Sequence, residues 1–343
     1  GLFFSQKKKE RKTLHIIEHT KKWLGFSGIL AVVALIAILA FGVRFGMDFT
    51  GGTFMELKFK EAVTAEQLKE TLGIIEDEIQ SEGLTAAAES TESANTSAAL
   101  KPAEDQLLDL KNAQVINADT GSLQIKTKFM SNEIHDAVLK KLGEKLGNVE
   151  ETRFENIGPT IGSTMKSRAF TALVIASLMI MVYLAFAFRK IPKHVNPWRF
   201  GACAIIALAH DIFITFGFFV ILGKLTGVEI DALFITALLT VLGFSVHDTI
   251  VVFDRIRENL KNSESENITE VANKSMTETM SRSINTSLAT LITLLALLVM
   301  GSENIFYFTL ALVFGITIGT YSSIFVATPI LVKWTEWRMG QRK

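Results

Sequence analysis

LGFSVHDTIVVFDRIREN, residues 242–259, begins as the inner part of a long apolar run. His247, Asp248 and Thr249 interrupt that run before Ile250 to Phe253 resume it and Asp254, Arg255 and Arg257 close it. A carboxylate is thereby set inside an otherwise lipid-compatible helix. An ionisable group at membrane depth costs about 2.5–3.5 kcal/mol on insertion scales, so it faces a protein interior and takes a partner or a proton. Two readings follow: a structural polar group satisfied by a neighbouring helix, or a titrating residue of an ion or proton pathway.

Working outward, 49% of the 343 residues are hydrophobic, with 25 phenylalanines and 5 prolines, which is too apolar for an ordinary soluble domain of this length and implies an integral membrane protein with a soluble part. The 35 basic and 35 acidic residues cancel, so total charge implies no acidic partner and gives nucleic-acid binding no support. Cys203 is the sole cysteine and can form no intrachain disulfide; it reads as a small buried hydrophobe.

Residues 1–22 carry Lys7, Lys8, Lys9, Arg11, Lys12, Lys21 and Lys22 against Glu10 and Glu18, a basic flank of the kind that stays in the cytoplasm. The apolar run 23–43 is long enough to cross a hydrocarbon core of roughly 30 Å and reads as an uncleaved first span. The sequence opens on Gly1 rather than Met, as expected of a chain that is trimmed, tagged or incomplete.

Residues 44–168 are expected to form an extracytoplasmic domain. GMDFTGG (46–52) reads as a glycine-permitted turn from helix into strand. TFMELKFK (53–60) alternates as a half-buried strand does, and 64–79 fits an amphipathic helix with Thr64 as N-cap. An Ala/Ser/Thr/Glu-rich stretch without aromatic residues makes 84–106 a flexible insertion. Strands at 113–117 and 123–129 are joined hairpin-style by Asp119, Thr120 and Gly121, a helix covers 132–146, and a last strand covers 149–157. The order strand, helix, strand, strand, helix, strand is that of an α+β ferredoxin-like βαββαβ domain.

Five further spans are expected at 169–188, 200–222, 230–253, 283–300 and 306–332, making six transmembrane helices. Residues 189–199 hold four basic side chains and no acid, and the tail 333–343 has Lys333, Arg338, Arg342 and Lys343 against Glu336, so both belong inside and both termini are cytoplasmic. The mixed-charge segment 254–282 reads as one or more amphipathic helices lying along the inner face or continuing into the fifth span.

The polar side chains within the spans are His210 and Asp211 in the third, His247, Asp248 and Thr249 in the fourth, and Arg282, Asn285 and Thr286 at the start of the fifth. Arg282 and Thr286 share a helix face, and the depths of Asp248 and Arg282 are compatible with contact. Such a pair would switch between Asp248 protonated and free, and Asp248 ionised and held by Arg282. Consecutive His-Asp pairs point about 100° apart on a helix, so they make a weak metal site. No phosphate loop or nucleophile-base pair is evident, so neither a cofactor nor an enzymatic activity is expected.

GMDFTGG, HDIFITFG (210–217), LGFSVHDTIVVFDRIREN and SRSINTSLATL (281–291) resemble the signature segments of SecF-type members of the SecD/SecF family of bacterial and archaeal protein export. The resemblance runs in order along essentially the whole chain, apart from 84–106 and the N-terminus. Segment 242–259 is specific, whereas the glycine-rich element is shared with SecD. His247 stands where the family commonly has Asn and brings an extra titratable group. The resemblance implies half of a resistance-nodulation-division type fold, in the inner membrane, paired with SecD, fused or separate. It implies that the pair draws preproteins out of the SecYEG channel with the proton gradient, with YajC and YidC as further partners. By motif position, Asp248, Arg282 and Thr286 match proton-pathway residues, with His247 beside them, and Gly46, Asp48, Gly51 and Gly52 match the element near the hinge of the exported domain. Two other readings stand beside this one: an assembly subunit of the translocon that couples nothing, and a half-transporter for lipids or small molecules.

Overall fold

The computed structural model describes residues 15–60, 62–82, 108–117, 121–189, 196–262 and 267–340. The expected insertion at 84–106, positions 119 and 120 of the expected turn, most of the basic N-terminal flank and most of the basic loop at 189–199 lie outside them. The chain divides into two compact units, Gly1–Arg44 with Ala169–Lys343, and Phe45–Arg168.

The first span is α1 (Thr20–Phe41), ending on Gly42 at φ +69°. The second unit starts with a four-residue helix, α2 (Met47–Thr50), where the sequence implied a bare turn. Gly51 and Gly52 follow at φ +75° and +145°, so the glycines serve to leave this helical turn and enter β1 (Gly52–Phe59). Thr64 caps α3 (Ala65–Ser81) in a reciprocal capping box with Gln67. Then come β2 (Gln114–Asn117), β3 (Leu123–Thr127), α4 (Asn132–Leu146) and β4 (Val149–Ile157). All pairings are antiparallel in the order β2-β3-β1-β4, which is the ferredoxin-like arrangement. Met55 and Leu57 of β1, Ile125 of β3, Leu68, Leu72 and Ile75 of α3, and Val138 and Leu142 of α4 close the core, each at 0% exposure. Two lysines of α4 clamp α3: the Lys145 hydrogen bond, then that of Lys141, holds the Glu78 carboxylate below its ordinary range. That contribution is present above the ordinary glutamate pKa and is lost as pH falls through the depressed one.

The remaining spans are α5 (Pro159–Ala187), α6 (Pro197–Thr226), α7 (Ala232–Asn262), α8 (Ile268–Met300) and a sixth composed of α9 (Glu303–Ser322), a π-helical segment (Ser323–Ala327) and α10 (Thr328–Gly340). Among the described residues, six helices are thus long and apolar enough to cross a membrane. The apolar runs understate their length, because α7 continues to Asn262 and α8 starts at Ile268 as polar helical extensions. From Ile268 onward, segment 254–282 continues into the fifth span, which is one of the two forms expected for it. Its two arms pack on each other through Arg255 Nε to Glu278 at 2.6 Å and Asn259 Nδ2 to Ser275 Oγ at 2.9 Å.

Close helix approach in the bundle depends on small residues, as expected where lipid gives no hydrophobic drive to helix pairing. Gly217 of α6 lies against α1 so closely that an added Cβ would sit 2.7 Å from Ala34 Cα. Overpacking of this kind costs about 1–3 kcal/mol. Gly217→Ala should lower the thermal unfolding midpoint of the full chain in detergent, and Ala34→Gly added to it should restore part of the loss; no recovery would place the strain elsewhere.

Candidate functional site

Asp248 is 5% exposed at the middle of α7. Its Oδ2 accepts from Ser287 Oγ of α8 at 2.9 Å, and Ser287 Oγ in turn accepts from Thr320 of α9 at 2.7 Å. Beside it, Thr249 and Ser323 share a hydrogen bond of 2.9 Å between their hydroxyls. One turn back on α7, Ser245 Oγ donates to Asp211 Oδ2 of α6 at 2.6 Å, and Ser322 Oγ donates to the same oxygen at 2.7 Å. The other carboxylate oxygen, Oδ1, lies 2.9 Å from His210 Nδ1. Two buried carboxylates are therefore held by hydroxyls, and residues 320–323 of the sixth span serve both.

The backbone explains why these hydroxyls converge. Gly319 meets α7 so closely that a Cβ there would lie 2.9 Å from Ser245 Cβ, and Gly315, one turn earlier, abuts Val241 in the same way. Immediately beyond, the helix widens into the π segment, where Thr328 Oγ1 donates to Ser323 O at 3.0 Å. Ser322 and Ser323 are both at 0% exposure, so neighbours about 100° apart on a helix both point inward at this junction. Widened turns of this kind are frequent at functional sites.

The expected contact between Asp248 and Arg282 is not formed. Arg282, Asn285 and Thr286 are exposed on one face of α8, and the Thr286 hydroxyl donates to the Arg282 carbonyl at 2.9 Å. Asp248 is met instead by Ser287, and five residues of helix put Ser287 about 140° round from Arg282. His247 is exposed while Asp248 is buried, so the extra imidazole of that motif does not enter the cluster. Ser245, Ser287, Thr320, Ser322 and Ser323 went unremarked in the sequence. Their signal was there, since each is a hydroxyl within an apolar span and each lies within five residues of another polar group on the same span.

In the second unit, Gly46 is buried and Asp48 half-buried in the α2 turn, where Thr50 Oγ1 donates to Gly46 O at 3.1 Å. Gly162 of α5 packs on this turn: a Cβ on Gly162 would lie 2.7 Å from Gly51 N, and one on Gly51 would lie 2.9 Å from Pro159 Cα. The glycine element is thus a backbone-to-backbone packing site between the entry to β1 and the first turns of α5.

Six spans with one α+β domain inserted after the first, and hydroxyl-held carboxylates among the later spans, define a multi-pass membrane protein of transporter type. The family described as "Protein export membrane protein SecD/SecF, C-terminal" matches residues 137–337, and "SecD/SecF GG Motif" matches residues 36–63. The protein translocase subunit SecF of Thermobaculum terrenum is 42% identical over 310 residues, covering 89% of each chain. That of Anaerolinea thermophila is 36% identical, covering 93% of this chain and 94% of its own. A crystal structure of SecDF, a translocon-associated membrane protein from Thermus thermophilus, superposes with a TM-score of 0.71 at 30% identity; the match covers 94% of this chain and 39% of that longer one. The chain belongs to the SecD/SecF family, with the SecF subunits of the Sec translocase.

Because positive φ and close packing coincide at Gly51, with ψ at 167°, an alanine there meets about 1–3 kcal/mol of backbone strain as well as overlap. Gly51→Ala should therefore lower the unfolding midpoint of the full chain more than Gly143→Ala, whose Cβ would meet ordinary van der Waals contact at 3.9 Å. Equal effects would show that the packing at the α2 turn is not special.

Proposed function

We propose that the chain is the SecF half of a SecD–SecF complex that uses the proton-motive force to assist late steps of preprotein translocation through SecYEG. It sits in the inner membrane with both termini cytoplasmic and the βαββαβ domain outside. The observation that carries the reading is Asp248, a carboxylate buried at membrane depth where three helices meet and held by the Ser287–Thr320 hydroxyl chain. A structural carboxylate gains little there over an amide or a hydroxyl, whereas a proton carrier needs an acid in a dry, protein-lined place.

Asp248 takes up and releases the proton, and Arg282 and Thr286 act at the face turned toward SecD. Helices α5 and α8 support that placement, since most of their apolar residues are not buried within this chain. A guanidinium at the end of a span is exposed on α8 and fits a second subunit's carboxylate. Each charge moved through 100 mV supplies about 2.3 kcal/mol, enough to shift a two-state equilibrium by more than tenfold. The Gly46–Asp48–Gly51–Gly52 element lies near the hinge of the exported domain.

Asp248→Asn keeps size and hydrogen-bonding capacity but cannot take a proton. In inverted vesicles with SecA, SecYEG and SecD, it should abolish the increment of preprotein export driven by the proton gradient while leaving assembly with SecD intact. Full gradient-driven export by this variant would remove the coupling role and leave an assembly subunit.

A further inference from the structure

Asp211 lies outside the Asp248 cluster, and the proposed coupling makes no use of it. It is 1% exposed, and Ser245 and Ser322 already give Oδ2 two short hydrogen bonds. A carboxylate kept for packing would need nothing more than such donors. Yet Oδ1 also meets His210 Nδ1 at 2.9 Å, a contact that holds a proton on either atom. On the far side of the ring His210 Nε2 is buried and has no hydrogen-bond partner among the described residues. An imidazole oriented by a carboxylate through one nitrogen and open at the other is the arrangement proteins use to carry protons.

We propose that His210 and Asp211 together form a second proton-binding site in the bundle, separate from Asp248. With Asp211 ionised and His210 neutral the pair has charge −1. Binding one proton brings it to zero, as imidazole beside carboxylic acid, and release restores −1. No other bond forms or breaks.

Surrounding charge is sparse. Helix α1 has no ionisable side chain after Lys22, α5 has Tyr183 alone between Arg168 and Arg189, and α8 has none after Arg282. The sixth span has only Tyr307 and Tyr321 between Glu303 and Lys333. Helix α7 brings His247, which is exposed, and Asp248, which faces Ser287. On α6 itself Arg199, Cys203 and Lys224 are each more than a turn away. His210 is thus the ionisable side chain that meets Asp211 directly. The two acids are linked mechanically, because Ser245 lies three residues before Asp248 on α7 and Ser322 two after Thr320 on α9. A change of charge at Asp211 therefore acts on the helical turns that also carry Asp248 and Thr320. For its part in export, this site rests on the proton coupling proposed above.

The test is pH-jump infrared difference spectroscopy of the full chain assembled with SecD in lipid, reading the carbonyl stretch of protonated carboxyl groups, with gradient-driven export measured in parallel. Asp211→Asn should remove one titrating component and Asp248→Asn a different one. His210→Gln, which keeps the acid but not the imidazole, should move the midpoint of the Asp211 component by about one pH unit or more. A carboxyl spectrum unchanged by Asp211→Asn overturns the second site. Where Asp211→Asn fails to fold, an unmoved midpoint in His210→Gln overturns it equally. If Asp248→Asn abolishes gradient-driven export while Asp211 is silent, this inference falls and the coupling stands. If the Asp211 component is present while Asp248→Asn exports normally, the coupling falls and the proton site stands.

Discussion

A carboxylate at membrane depth has no water to satisfy it, so the partners must come from other helices, and the bundle is arranged around meeting that demand twice. Asp211 on α6 draws on α7 and the sixth span, and Asp248 on α7 draws on α8 and the sixth span. Hydroxyls are short donors, so the helices that supply them must approach closely. Gly315 and Gly319 allow that approach between α9 and α7, and the π segment then turns two consecutive serines inward. Helix packing, backbone irregularity and polar chemistry in this region are one solution to one constraint.

Much of this was legible in the sequence, for physical reasons that also mark where legibility stopped. Strand β4 and helix α4 fall on the residues read for them, and in the structure Ser131 caps α4 by accepting from Ile134 N–H. Span ends were readable only as far as the hydrophobic core reaches: beyond it α7 and α8 continue through polar residues such as Asn259 and Ser275, whose partners lie across the helix pair. The four-residue α2 escaped because GMDFTGG has the composition of a turn, and three-centre packing against Gly162, more than a hundred residues on, is invisible locally.

The candidate site divides in the same way. That Asp248 and Asp211 are set in apolar spans is a property of the sequence. Which side chains meet them depends on helix rotation, and there the apparent partner was the conspicuous cation. Arg282 and Ser287 are both near enough along α8, but about 140° of rotation separates them, and the bundle presents the serine. Charge attracts notice in a sequence, whereas a buried serine looks like any small residue at a helix contact.

That substitution of hydroxyl for guanidinium has a mechanistic consequence. A guanidinium has five donors and no acceptor, so it favours an ionised carboxylate and cannot accept from the O–H of a protonated one. A serine hydroxyl both donates and accepts, so Ser287, backed by Thr320, can donate to an ionised Asp248 and accept from a protonated one by rotation of its hydroxyl. The Asp248 carboxyl therefore keeps a hydrogen-bonding partner in Ser287 in either protonation state. The proposed proton exchange at Asp248 would then need only rotation of that hydroxyl, while Arg282, exposed on α8, stays out of the cage.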